Sequence, residues 1–197
     1  MTYHVYGGVR SRAFRVLWAL EELGQSYEQT ASAPRAPEVV ALNPSGKVPV
    51  LVADGTALTD STAIVTYLAD KHGQITFPAG SLERAKQDGF TQMALDELDG
   101  TLWTASRHSF VLPEEMRVPE VKPSLKWEFA QSCARIAAGF EGPFLMGETF
   151  TVADIVFGHC LGWASVAKFS HDQPVLQDYL SRLRARPAYQ AARSKES

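Results

Sequence analysis

The apolar positions of this chain follow two regimes. Up to about residue 72, short apolar runs of strand length alternate with amphipathic helical stripes, and beyond Leu82 only the helical period recurs. Tyr3 to Tyr6 reads as a short strand and Gly7-Gly8-Val9 as a turn. Ser11 to Leu23 reads as a helix whose stripe is Ala13, Val16, Leu17, Leu20 and Leu23, with Ser11 at or near the N-cap and Gly24 as the stop. Ser26 to Thr30 gives a second strand. Ala33-Pro34-Arg35-Ala36-Pro37 forms a loop into a short helical turn near Val39 to Leu42. Val50 to Ala53 and Thr56 to Thr59 are two strands joined by Asp54-Gly55, a pair that favours a type I′ hairpin. Asp60 or Ser61 then caps a helix bearing Ala63, Ile64, Tyr67 and Leu68.

The order β-α-β-α-β-β-α is complete by His72, which predicts an α/β domain over residues 1–73. Its expected core is a mixed, four-stranded sheet with helices on its faces, as in the thioredoxin fold. Gly73 to Ser81, rich in Gly, Pro and Ala, marks a linker, placed over residues 74–82. Residues 83–197 then form an all-α C-terminal domain, a helical bundle with apolar stripes at Phe90–Ala105, Leu125–Phe140, Val152–Ala167 and Leu176–Leu183. The third stripe opens on Thr151 and Asp154 at capping-box spacing, with Phe150 and Ile155 placed as a hydrophobic staple. That signature is a folding element.

Composition narrows the class. With 197 residues the chain is long enough for a sizeable core, and its hydrophobic fraction of 45% and charged fraction of 21% are those of a globular protein. A net charge of −3 with dispersed basic residues argues against a nucleic-acid surface. No apolar run approaches the roughly 18 residues of a membrane helix, and no basic and apolar leader opens the chain, so a cytoplasmic address is expected. Cys133 and Cys160 fall on apolar stripes, as buried thiols do. His4, His72, His108, His159 and His171 have no metal-ligand spacing, so no metal is expected.

The chemistry concentrates in Asn43-Pro44-Ser45-Gly46-Lys47-Val48-Pro49-Val50-Leu51, where turn formers give way to a strand. Pro49 donates no ladder hydrogen bond. If the peptide before it is cis, Val48 holds its own N–H and C=O out of the sheet, as an edge that can pair with a peptide-like ligand. Downstream, the capped helix start at Asp60-Ser61 offers unpaired N–H groups, a positive dipole end and an acceptor side chain. Together those groups suit an α-amino and an α-carboxylate, as on a γ-glutamyl unit.

The strand, the Ser11-Arg12 turn, the helix ending Leu20-Glu21-Glu22-Leu23-Gly24, the run Asn43 to Leu51 and the run Asp60-Ser61-Thr62-Ala63-Ile64 stand in an order that resembles the N-terminal domain of cytosolic glutathione transferases. The resemblance extends along the chain, through Phe150-Thr151-Val152-Ala153-Asp154-Ile155, to Arg186-Pro187-Ala188-Tyr189. It implies a two-domain, homodimeric enzyme that takes glutathione as co-substrate and presents its thiolate to a small electrophile, by conjugation or by reduction of organic hydroperoxides. Residue by residue, it places Lys47 on the glycine carboxylate, the Val48 backbone beside Pro49 on the cysteinyl unit, and Asp60 and Ser61 on the γ-glutamyl end.

A free thiol has a pKa of about 8.5, so the protein must stabilise the thiolate. A hydroxyl at a helix N-terminus does so by hydrogen bond and dipole together, and Ser11 fits that description, with Arg10 and Arg12 adding positive charge. The family uses Tyr, Ser or Cys near this position. Alternative registers place Tyr6 at the tyrosine position or Arg10 at the serine position, so these three residues compete for the role. No Cys occupies the turn, which disfavours reduction through a protein mixed disulfide. Trp103, Arg107, His108 and Phe110, with Trp163, are candidates to line the electrophile pocket. Two other readings stay open: a transferase-like binding or regulatory module without turnover, and a maleylacetoacetate-type isomerase, whose Ser-Ser-Cys turn is absent here.

Overall fold

The computed structural model describes residues 2–195, and its first layer is a four-stranded sheet in the order β2-β1-β3-β4. Strand β1 (Tyr3–Tyr6) runs parallel to β2 (Glu28–Thr30) and antiparallel to β3 (Val50–Ala53), which pairs antiparallel with β4 (Thr56–Thr59). Period-two alternation buries Tyr3 and Val5 and leaves His4 and Tyr6 half-buried on the other face. The hairpin after β3 turns on Asp54 and Gly55, both with positive φ (46° and 82°), as a type I′ turn requires. The sequence expectation of a mixed four-stranded sheet is therefore met.

Helix α1 (Ala13–Glu22) buries Ala13, Phe14, Val16, Leu17, Trp18, Ala19 and Leu20, a wider apolar face than its five-residue stripe predicts. It packs against α3 (Ser61–His72), which ends on a left-handed Gly73. Helix α2 (Pro37–Leu42) is only six residues long and buries Val39 alone.

Contacts divide the chain into two compact units, one reaching to Arg84 and resuming at Arg184, the other spanning Ala85–Leu183. The second stretch of the first unit is helix α9 (Pro187–Arg193), which packs on α1. Tyr189 meets the rings of Phe14 and Trp18 edge-on, each at 5.0 Å between centroids. Sequence periodicity ends the helices near Arg186-Pro187. The structure instead uses Pro187 at the first position of a new helix, where its missing N–H is tolerated.

The second unit is helical, as expected. After α4 (Leu82–Met93) the chain winds into a π-helical segment over Ala94–Asp99, continues as α5 (Gly100–Ser106) and widens again over Arg107–Val111. Simple 3.6-residue counting does not anticipate these two wide turns. Two short 3-10 turns lead to α6 (Lys122–Ala138), followed by α7 (Val152–Ala167) and α8 (Pro174–Arg184). Leu98, Leu102, Phe129, Cys133, Ile155, Phe157, Cys160 and Leu161 make its core, and both cysteines are free and buried. Burial pushes the Cys133 thiol up to about 12.

At the start of α7 the buried Asp154 carboxylate accepts the N–H groups of Leu145 (2.9 Å) and Thr151 (2.8 Å), the Thr151 hydroxyl (3.2 Å) and the Tyr179 hydroxyl (2.9 Å). The capping-box spacing read from the sequence thus becomes a junction that also ties the preceding loop and α8 to α7.

Candidate functional site

The register of the sheet gathers the predicted residues at one end of the first unit. Tyr6 pairs with Val50 and Val50 with Thr59, so the segments that continue those strands, Gly7, Val48-Pro49 and Asp60-Ser61, leave the sheet side by side. Gly7 holds the junction. Its φ is 131°, and a Cβ there would meet the Ala13 Cβ at 2.7 Å and the Val48 Cβ at 3.1 Å, so only glycine lets the start of α1 and the Val48 loop close on the end of β1. Its N–H donates to Thr30 O (2.9 Å), and Gln29 Nε2 donates to its carbonyl (3.0 Å).

The Val48–Pro49 peptide is cis and Pro49 is buried. Among the described residues neither backbone group of Val48 has a backbone partner, which leaves a short free edge before β3. The loop leading to it is tied down at several points. Asn43 Oδ1 accepts from the Ser45 N–H (3.2 Å) and hydroxyl (2.9 Å), while Asn43 Nδ2 donates to Lys47 O (2.9 Å). The Lys47 side chain is exposed.

Asp60 takes the N-cap of α3 with φ 69°, and its Oδ1 accepts the N–H groups of Thr62 (2.9 Å) and Ala63 (3.0 Å). Ser61 is buried, and its hydroxyl accepts from Arg15 Nη1 at 3.3 Å. Arg15 is fully buried on α1. It ties the helix that follows the first turn to the helix that begins at Ser61. Sequence reading passed over it, because an arginine between Phe14 and Val16 looks like an ordinary polar position of an amphipathic helix.

The candidates for the thiol position sit differently from one another. The Ser11 hydroxyl donates to Gly8 O (2.8 Å) and accepts the Ala13 N–H (3.1 Å), closing a local turn one residue before the Arg12 N-cap of α1. Arg10 is exposed, and Arg12 is half-buried. Tyr6 is half-buried on the opposite sheet face to Tyr3 and Val5, its ring stacked on His4 at 4.4 Å. From the C-terminal stretch, Arg193 Nη1 donates to Val9 O (3.3 Å) and its guanidinium lies over the Phe14 ring at 5.5 Å. This buttress on the turn has no signature in the sequence.

The proposed electrophile residues all belong to the second unit. Trp103 is half-buried on α5, Arg107 begins the second π-wound segment and donates to the Thr104 hydroxyl (3.0 Å), and Phe110 is 70% exposed. No group of side chains suited to a metal ion occurs among the described residues, and no helix is long and apolar enough to cross a membrane.

Residues 1–70 match the family described as glutathione S-transferase, N-terminal domain. Glutathione S-transferase GstA of Escherichia coli O157:H7 is 30% identical over 162 residues, which cover 79% of this chain and 77% of that one. Maleylacetoacetate isomerase of Rhizobium meliloti (strain 1021) is 43% identical over 82 residues, but that match spans only 39% of this chain and 38% of the isomerase. Among solved structures, the theta class glutathione S-transferase of Xanthomonas axonopodis pv. citri with glutathione bound superposes with a TM-score of 0.80 at 27% identity, covering 98% of this chain and 97% of that one.

Proposed function

The chain belongs to the cytosolic glutathione S-transferase family, and we propose from that premise that it binds glutathione at the sheet end of its first unit, activates the thiol and transfers it to an electrophile. The observation that carries this reading is the juxtaposition of the free Val48 edge, packed against Gly7 on one side, with the capped, anion-receptive start of α3 on the other. The peptide backbone of glutathione pairs with Val48 beside Pro49. The γ-glutamyl amine and carboxylate lie at Asp60 and Ser61, and the glycine carboxylate lies at Lys47.

Ser11 is the first choice as thiolate donor. Gly8 O already accepts the Ser11 N–H (3.1 Å), so turning the hydroxyl toward a sulfur leaves that carbonyl with a partner. The Ser11 oxygen also accepts the Ala13 N–H, which strengthens the hydroxyl as a donor. Arg10 and Arg12 add positive charge beside the sulfur, and Tyr6 is the competitor. Once formed, the thiolate serves conjugation and hydroperoxide reduction alike, and a homodimer is the expected assembly.

The test is an absorbance titration of bound glutathione in wild type, Ser11→Ala, Tyr6→Phe and Arg10→Ala, alongside conjugation of a generic aryl halide. The expected result is a bound thiol that titrates below the free one, with the shift lost in Ser11→Ala alone. Binding with neither shift nor conjugation would instead make the chain a binding module. The match to the Rhizobium meliloti isomerase favours a second reading, isomerisation of maleylacetoacetate, although the turn here is Arg10-Ser11-Arg12 rather than Ser-Ser-Cys. Turnover of that substrate without conjugation would establish it.

A further inference from the structure

A groove in the second unit, outside the site described so far, lies between the first π-wound segment with α5 and helix α6, and encloses about 390 Å³. Asp96 and Glu97 line it from the π-wound segment, and Trp127, Glu128 and Ser132 from α6. Arg135 pairs with Glu97, while Asp96 and Glu128 have no cationic partner among the described residues. Two carboxylates left uncompensated in one groove draw cations toward it.

Two further groups say what kind of cation fits. Ser132 is 8% exposed, and its hydroxyl makes no hydrogen bond among the described residues. Other helical hydroxyls of this unit return to the carbonyl four residues back: Thr91 to Gln87 (3.0 Å), Thr101 to Glu97 (2.7 Å), Ser106 to Leu102 (3.0 Å) and Ser165 to Leu161 (3.0 Å). Ser132 makes no such bond to Glu128 O and keeps its oxygen for the groove it lines. Trp127 is 65% exposed, whereas Trp18 is buried and Trp103 and Trp163 are half-buried. Its ring offers the groove a face on which a cation or a methylene chain can lie.

We propose that this groove binds an aliphatic diamine or polyamine, with its ammonium groups on Asp96 and Glu128, its methylene chain over the Trp127 ring and an ammonium N–H donated to the Ser132 oxygen. The lining selects that class. A metal ion has no use for the indole, a quaternary ammonium has no N–H for Ser132, and a monoamine leaves one carboxylate unpaired.

The experiment is a calorimetric titration of spermidine, n-butylamine, tetramethylammonium and magnesium into wild type, Asp96→Asn, Glu128→Gln, Trp127→Leu and Ser132→Ala. The double variant Glu114→Gln/Glu115→Gln removes an exposed acidic pair outside the groove and serves as control. Wild type should bind spermidine at least about tenfold more tightly than n-butylamine, since the monoamine forgoes one charge-assisted contact. Asp96→Asn and Glu128→Gln should each weaken spermidine about tenfold, Trp127→Leu and Ser132→Ala about threefold, and the control not at all. Equal affinity for spermidine and magnesium, or equal losses in the groove variants and the control, would reduce the effect to diffuse surface charge and overturn the site. Absence of spermidine binding by wild type overturns it as well; if Trp127→Leu then also changes the sedimentation of the protein, a second copy of the chain covers the groove instead.

Discussion

Arg186, at the start of α9, grips Glu22, at the end of α1, through two hydrogen bonds, Nε to Oε1 at 2.6 Å and Nη2 to Oε2 at 2.7 Å. The Glu22 side chain is only 8% exposed and also accepts from Trp18 Nε1 (2.8 Å). The pair is therefore a partly buried, planar clasp, which separates it from the surface ion pairs that contribute little.

Removing one partner of such a clasp strands the other. Arg186→Ala should lower the unfolding free energy by about 2–3 kcal/mol, because Glu22 stays covered without its cation. Lys195→Ala, which removes a 3.3 Å contact from a more exposed lysine to Glu21, should cost less than about 1 kcal/mol. Urea denaturation of both variants measures the contrast, and equal losses would refute it.

Asp154→Ala removes a single acceptor that serves four donors. The expected loss is about 3 kcal/mol or more, with glutathione affinity unchanged at temperatures where the variant is folded. Thermal melting with and without glutathione checks both halves. An unaltered midpoint would show that the junction contributes nothing to stability.

The boundary between what was and was not legible in the chain runs through these contacts. The Asp154 cap could be read because a capping box is local, its two halves three residues apart. The Asp54-Gly55 turn could be read for the same reason, and so could Lys47-Val48-Pro49 and Asp60-Ser61 as two separate local runs, a turn before a strand and a helix cap. Tyr179 on Asp154, Arg186 on Glu22, Arg193 on Val9 and Arg15 on Ser61 join residues 25, 164, 184 and 46 positions apart. No periodicity records such pairings. The π-wound stretches escaped too, since their apolar spacing differs from that of an α-helix by less than one residue per turn.

Ser61→Ala tests the contact between Arg15 and the start of α3. Arg15 then loses an acceptor in a buried place, at a cost of about 1–2 kcal/mol, and glutathione binding should weaken with it. Joint measurement of chemical denaturation and ligand affinity is decisive: loss of stability with full affinity would make Ser61 a strut only.

The Cys133 thiol, held up at about 12 by burial, gives a signed pH dependence. An unfolded thiol ionises near about 8.5. The stabilisation from keeping it protonated is therefore complete below that value and drains away as pH rises toward 12. Wild type should lose stability more steeply than Cys133→Ser above about pH 9, and at neutral pH the native thiol should resist aromatic disulfide reagents until denaturant is added. Parallel alkaline slopes in the two proteins would contradict this.

The return of α9 to α1 also sets an order on biosynthesis. Phe14 and Trp18, made before Ala85–Leu183, rest against Tyr189, which is made only after the whole of that stretch. During translation the first unit therefore waits, with those aromatic faces uncovered, while the helical unit is synthesised. Its closure falls to residues made after the helical unit.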